Sequence, residues 1–172
     1  MIFCKERKIA FFLPPRTGSA SLIYILSNVG FSITAYRHIF YSKALEIYPQ
    51  LSNYKLYGFF RNPEDRFVSA IKACERTKTE NIREVFNNYI FLFNPQTNFL
   101  VQPHVTVLDF DNYEDELVKV VGDSVKGCSA IRANESTSKD FVRSKELKFY
   151  VQQAYAADYE IGMKVLGKRY DI

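Results

Sequence analysis

The sequence predicts an α/β protein, a three-layer sandwich in which helices cover both faces of a central, mainly parallel sheet. Short apolar runs of strand length alternate with amphipathic segments, and two of those runs end in a loop that opens directly into a helix. No internal repeat breaks this alternation. With 172 residues, 47% of them hydrophobic, the chain can bury one substantial core, and we expect a single domain over residues 1–172.

The first third of the chain contains the clearest alternation of strand and helix. Apolar runs rich in β-branched and aromatic residues predict buried strands. Gly30 stands at a position that favours a left-handed C-cap and so predicts the end of a helix. The predicted elements are, in order, a strand at KIAFFL (8–13), a helix over 19–29, a strand at FSITAY (31–36), a short helix over 42–48 before Pro49, and a strand at YKLYGFF (54–60).

The next helix has the strongest start signal in the sequence. Asn62 suits the N-cap, Pro63 the first helical position, and Glu64 and Asp65 the first turn. After it we predict a helix over 82–91, a strand at VTVLDF (105–110), a helix over 113–121 and one long helix over 144–166.

Composition narrows the class of protein further. The formal charge of +4 suits an anionic ligand but does not require one. Cys4, Cys74 and Cys128 are scattered, which argues against disulfides and zinc sites. No apolar run is long enough for a membrane span and no export signal is evident, so we expect a cytoplasmic protein without membrane or nucleic-acid partners.

The segment FFLPPRTGSASL places a hydroxyl-rich loop between the first predicted strand and its helix. The N-terminus of a helix at the carboxyl end of a strand suits a phosphate or sulfate group. Gly18 permits close approach, Thr17, Ser19 and Ser21 add hydroxyl groups, and Arg16 adds a fixed charge. It is not a Walker A motif, since the second glycine and the lysine are absent. The alternative is an ordinary turn in which Ser19 only caps the helix.

The segment GFFRNPEDRFVSAI repeats this design at the next strand. Arg61 stands at the strand end, and Ser69 lies about two helical turns into the helix that follows. Alone, Arg61 would more often be a solvated residue before a helix start. Two such junctions on neighbouring strands suggest two anion sites separated by the length of a nucleotide.

These two segments resemble the sulfotransferases of the carbohydrate type. PRTGSASL is similar to the family's PKTGSTSL-like loop, and RNPEDRFVSA to its RNPxDRxVSA-like segment. Weaker similarity continues through RHIFYSKALE, NPQTNFL and NESTSKDF. The resemblance implies a P-loop-like fold, 3′-phosphoadenosine 5′-phosphosulfate (PAPS) as the sulfuryl donor, its desulfated product PAP, and no metal. The cofactor-binding residues that it implies are Arg16, Thr17, Gly18, Ser19, Ala20, Ser21, Arg61, Ser69, Asn134, Ser136 and Lys139.

The implied reaction transfers a sulfuryl group to a hydroxyl or amine of a small molecule or carbohydrate. Arg16 would stabilise the leaving phosphate oxygen. His38 follows the second predicted strand and has a suitable unperturbed pKa, so we predict that it is the general base, with Glu46 as the substitute. Gln96 could orient the acceptor, or could be a loop contact. Leu92 occupies a position where the family often has histidine.

Two other classes of function remain open at the level of sequence. A P-loop-type kinase would share the fold and bind ATP, although the missing Walker lysine and the pair Arg61 and Ser69 count against it. A non-catalytic nucleotide-binding module would use the same two loops without turnover.

Overall fold

The computed structural model describes residues 1–75, 90–128 and 144–170. Within these ranges the chain forms one five-stranded sheet whose spatial order is β3-β1-β2-β4-β5. The strands are β1 (Ile2–Cys4), β2 (Ile9–Phe12), β3 (Ser32–Ile33), β4 (Lys55–Phe60) and β5 (Val105–Asp109). Three of the four expected apolar runs form strands of nearly the expected length, whereas FSITAY contributes only the two residues of β3.

The sheet is mixed, which corrects the prediction of a mainly parallel sheet. β2, β4 and β5 are parallel neighbours, as expected. However, the N-terminal strand β1, which the sequence analysis did not predict, pairs antiparallel with both β2 and β3. The polar residues 5–8 form a tight turn, closed by a hydrogen bond from Lys8 N to Lys5 O (3.3 Å), so β1 and β2 form a hairpin. A turn this short can join antiparallel strands only.

Six α-helices are described. They are α1 (Ser19–Ser27), α2 (Tyr41–Ile47), α3 (Pro63–Glu75), α4 (Tyr113–Val121), α5 (Lys145–Ala154) and α6 (Ala156–Leu166). Asn62 caps α3 as predicted, since its Oδ1 accepts hydrogen bonds from the N–H groups of Glu64 (2.9 Å) and Asp65 (3.2 Å). The helix predicted over 113–121 is confirmed with the same bounds.

The single C-terminal helix predicted over 144–166 is instead two helices. Tyr155 separates them with φ −120° and ψ 29°, outside the helical region. Its ring is buried and its hydroxyl donates a hydrogen bond to the carbonyl oxygen of Phe93 (2.6 Å). This tertiary contact of Tyr155 lies at the break between the two helices, and helix propensity did not predict the break. The helix predicted over 82–91 lies mostly outside the described residues, and Ile90–Phe93 forms a 3-10 turn.

Helices flank both faces of the sheet, and the described side chains on those faces pack into two separate clusters. Alternation along β2 shows the division: Phe11 packs in one cluster with Leu22 of α1 and Leu117 of α4. Phe12 faces the other, with Ala44 of α2 and Ile161 of α6. The three-layer arrangement is therefore confirmed. Among the described residues, no helix is both long and apolar enough to cross a membrane.

Candidate anion-binding site

Four strands end at one edge of the sheet, and the residues that follow them meet there. β2, β4 and β5 are parallel. β3 runs in the same direction as β2, because both strands pair antiparallel with β1. The carboxyl edge therefore collects the loop after β2, the loop after β3, Arg61 after β4 and Phe110 after β5. In open α/β sheets this edge is where ligands bind.

The loop after β2 has an unusual backbone. Gly18 is the N-cap of α1 with φ 74° and ψ 17°, and no side chain caps the helix. Arg16 also has a positive φ of 67°, which is rare for a residue with a side chain and is typical of ligand-binding loops. Ser19 is the first helical residue and no side chain caps α1, so the capping role that the alternative gave to Ser19 is wrong.

The N-terminus of α1 lies against an aromatic ring that follows β5, two strands away from β2 in the sheet. A Cβ atom on Gly18 would lie 2.9 Å from Cε2 of Phe110, a distance that only glycine avoids. The first intrahelical hydrogen bond runs from Leu22 N to Gly18 O (3.0 Å), so the N–H groups of residues 19–21 precede it. They lie at the positive end of the helix dipole. The hydroxyl of Thr17 donates to Pro14 O (2.8 Å) and stabilises the loop instead of pointing toward a ligand.

The two predicted anion motifs contact each other directly. Nε and Nη2 of Arg16 both donate to Oγ of Ser69, at 3.0 and 2.9 Å. Nη1 of Arg61 donates to the carbonyl oxygen of Arg16 (3.1 Å), and its guanidinium lies 5.1 Å from the centre of the Phe110 ring. The two arginine-bearing motifs are thus joined by hydrogen bonds, although Arg16 and Arg61 are 45 residues apart in sequence.

Gln96 fixes the backbone of Arg61. Its Oε1 accepts a hydrogen bond from Arg61 N (2.9 Å) and its Nε2 donates to Arg61 O (2.9 Å). The side chain is fully buried, so the prediction that Gln96 orients an acceptor is not supported by its position. Because both of its amide atoms bond to Arg61, Gln96 is a positioning residue for that arginine.

A buried carboxylate lies behind Gln96. Oδ2 of Asp158 accepts from Gln96 N (2.9 Å) and Oδ1 accepts from Thr97 N (3.0 Å). Nη2 of Arg66 lies 3.8 Å from Oδ2, an ion pair between two fully buried side chains. Burial lowers the pKa of Arg66, and the charge of Asp158 opposes that shift. This network was not predicted, because nothing in the sequence shows that a residue of the last helix packs beneath the NPQ segment.

Arg37 is a second residue at the edge that the sequence analysis missed. It lies in the loop between β3 and α2, and its Nη2 donates to Oγ of Ser19 (3.2 Å), at the N-terminus of α1. Its side chain is exposed, and although partial desolvation lowers its pKa, a guanidinium stays protonated at neutral pH. The only sequence signal was its position directly before His38.

His38 lies at the same edge, as its predicted place after the second strand implied. Its Nδ1 is 2.6 Å from the carbonyl oxygen of Leu13. A carbonyl can only accept, so Nδ1 carries the hydrogen and Nε2 has the lone pair of the neutral ring. Burial is the main cause of a lowered pKa, the Leu13 bond opposes it, and the charge of Arg37 adds to it. The neutral imidazole that a general base requires is therefore favoured at physiological pH.

The other predicted site residues have different positions. Ala20 and Ser21 lie in the first turn of α1, where Ser21 is buried. Glu46 is exposed on α2 and paired with Lys43, and no described contact joins it to the loop. Asn134, Ser136 and Lys139 lie outside the described residues. Leu92 is buried, and its carbonyl accepts a hydrogen bond from Nη1 of Arg66 (3.0 Å).

Comparison of the chain with protein-family models, with curated proteins and with solved structures finds no match. Fold class and site geometry are therefore the basis for assigning a function. They define a mixed α/β fold with a cationic, hydroxyl-bearing edge.

Proposed function

We propose that the protein is a PAPS-dependent sulfotransferase that transfers a sulfuryl group to a hydroxyl or amine, with a carbohydrate as the expected acceptor. One observation supports this above the others: Arg16 bonds Ser69, and Arg61 bonds the Arg16 carbonyl. These contacts join the two resembling motifs at the edge of the sheet where His38 also lies. A nucleotide with phosphate groups at both ends of its ribose suits two adjoining arginine-bearing junctions.

The residues of the edge divide into binding and reacting groups under this proposal. The N-terminus of α1, with Gly18 and Ser19, would bind the 5′-phosphate through backbone N–H groups and the helix dipole. Arg61 and Ser69 would hold the 3′-phosphate. The buried Gln96 would keep Arg61 in place from behind, which reduces the entropy lost when the ligand binds.

The proposed reaction is a direct displacement that balances without a further reactant. The acceptor oxygen forms a bond to sulfur while the bond from sulfur to the bridging phosphate oxygen breaks, and that oxygen keeps the electron pair. The proton of the acceptor moves to Nε2 of His38. General-base help of this kind is worth about 10²–10⁴ in rate.

An ATP-dependent kinase is the second candidate class, and the geometry favours it less. A kinase of this fold needs a lysine on the phosphates and a site for magnesium. Here the loop has arginine at position 16 and contains no lysine. A binding module without turnover has the same cationic edge but gives no reason for a neutral histidine there.

Radiolabelled PAPS tests the proposal when it is incubated with the protein and a panel of sugars, phenols and amines. We expect label to pass to an acceptor, and the His38→Ala variant to transfer it about a hundredfold more slowly. Transfer of label from γ-labelled ATP instead would identify a kinase. Tight binding of PAP with no transfer from PAPS to any member of the panel would favour the binding module.

A further inference from the structure

Arg37 contacts the helix that follows β2, whereas the described side-chain hydrogen bonds of Arg16 run to the helix that follows β4. Both donor nitrogens of Arg16 that have described partners point to Ser69, on the helix after β4. Arg37 reaches Ser19, the first residue of α1. Among the described hydrogen bonds, the guanidinium that donates to the Ser19 hydroxyl is therefore that of Arg37.

Arg37 and His38 bracket the loop from one short segment. His38 bonds the carbonyl of Leu13, where the loop begins, and Arg37 bonds Ser19, where the loop becomes helix. A base must lie near the acceptor oxygen, and in a direct displacement that oxygen lies on the far side of the transferred group from the leaving oxygen. Under the proposed function, the transferred group would lie between His38 and the N-terminus of α1, on the side of the loop that this segment contacts.

We propose that Arg37 binds the transferred sulfuryl group, and that it is the residue that distinguishes PAPS from PAP. This inference rests on the proposed function. A guanidinium offers a planar set of donors that matches two oxygens of a sulfuryl group. Arg16, together with Ser69 and Arg61, then binds the part of the nucleotide that PAPS and PAP share.

Calorimetric titration of PAPS and PAP into the wild-type protein and into variants of Arg37 and Arg16 tests this assignment without a known acceptor. Arg37→Ala should weaken PAPS binding by about tenfold or more and PAP binding by less than about threefold, and Arg37→Lys should restore part of the difference. Arg16→Ala should weaken both ligands by similar factors.

The control is Arg7→Ala, which removes the same charge elsewhere. Arg7 lies before β2 begins, at the opposite edge of the sheet, where it donates to Val121 O (2.8 Å). Its removal should leave the ratio of the PAPS and PAP affinities unchanged. Thermal melts of each variant check that it is folded.

Two results would overturn the inference while leaving the proposed function in place: Arg37→Ala weakens PAPS and PAP equally, or it weakens neither. If the wild-type protein binds neither ligand, the proposed function fails and the inference fails with it. Loss of discrimination in Arg16→Ala, with discrimination kept in Arg37→Ala, would assign the role to Arg16.

Discussion

Asp158→Asn should destabilise the protein strongly, although the change is nearly isosteric. Asp158 is fully buried and accepts hydrogen bonds from Gln96 N and Thr97 N at 2.9 and 3.0 Å. Asparagine keeps only one acceptor oxygen, so its amide nitrogen must face an N–H group or the guanidinium of Arg66. Hydrogen bonds to a charged group are worth about 1.5–3 kcal/mol each.

The larger part of the loss comes from the charge. Arg66 is buried beside Asp158, with Nη2 at 3.8 Å from Oδ2, and would keep its charge with no counter-ion. Breaking a buried ion pair by removing one partner typically costs about 3–5 kcal/mol, and we expect a loss in that range. Urea denaturation with linear extrapolation measures it, provided that the m-value is unchanged.

Glu160→Gln is the matched control on the same helix. Glu160 pairs with Lys164 at 2.9 Å, but their side chains are 60% and 74% exposed. Exposed pairs contribute little, so this variant should lie within about 0.5 kcal/mol of the wild type. If Asp158→Asn is equally mild, the buried network does not stabilise the fold, and the expected loss is refuted.

Two further predictions concern the loop after β2 and His38, which contacts that loop. Gly18→Ala should cost more than Gly30→Ala in urea denaturation, because both have a positive φ (74° and 88°) but only Gly18 has a neighbour, Phe110, within 3 Å of the added Cβ. The backbone strain common to both is about 1–2 kcal/mol, and equal losses would show that Phe110 gives way freely. NMR titration of His38 should give a midpoint below about 6.5, because burial lowers its pKa, so the neutral base persists as the pH falls toward that midpoint. A midpoint above about 6.5, or a hydrogen on Nε2 of the neutral ring, would contradict its assignment as the base.

Local signals in the sequence predicted much of this fold. The cap at Asn62 and the apolar runs at β2, β4 and β5 depend on neighbouring residues, and each was predicted close to its observed bounds. The antiparallel β1 was missed because a three-residue strand at the N-terminus has too few positions to show a pattern. The break at Tyr155 was missed because it accompanies tertiary packing, which helix propensity does not include.

The candidate site was also predicted only in part. Arg16, Arg61, Ser69 and His38 could be placed at one edge because each follows a predicted strand or lies in the helix after one. Their partners could not be predicted, since a hydrogen bond such as that from Arg16 to Ser69 depends on side-chain directions across two strands.

Titration of PAP against ATP by calorimetry tests the central claim most directly, because PAP has the 3′-phosphate that ATP lacks. The wild-type protein should bind one PAP, and bind it much more tightly than ATP. Arg61→Ala should weaken PAP by about 10–100-fold, since a charge-assisted hydrogen bond to the 3′-phosphate is lost, while Ser69→Ala should have a smaller effect. Folded wild-type protein that binds ATP as tightly as PAP, or an Arg61→Ala variant with unchanged PAP affinity, would contradict the assignment of this edge to PAPS.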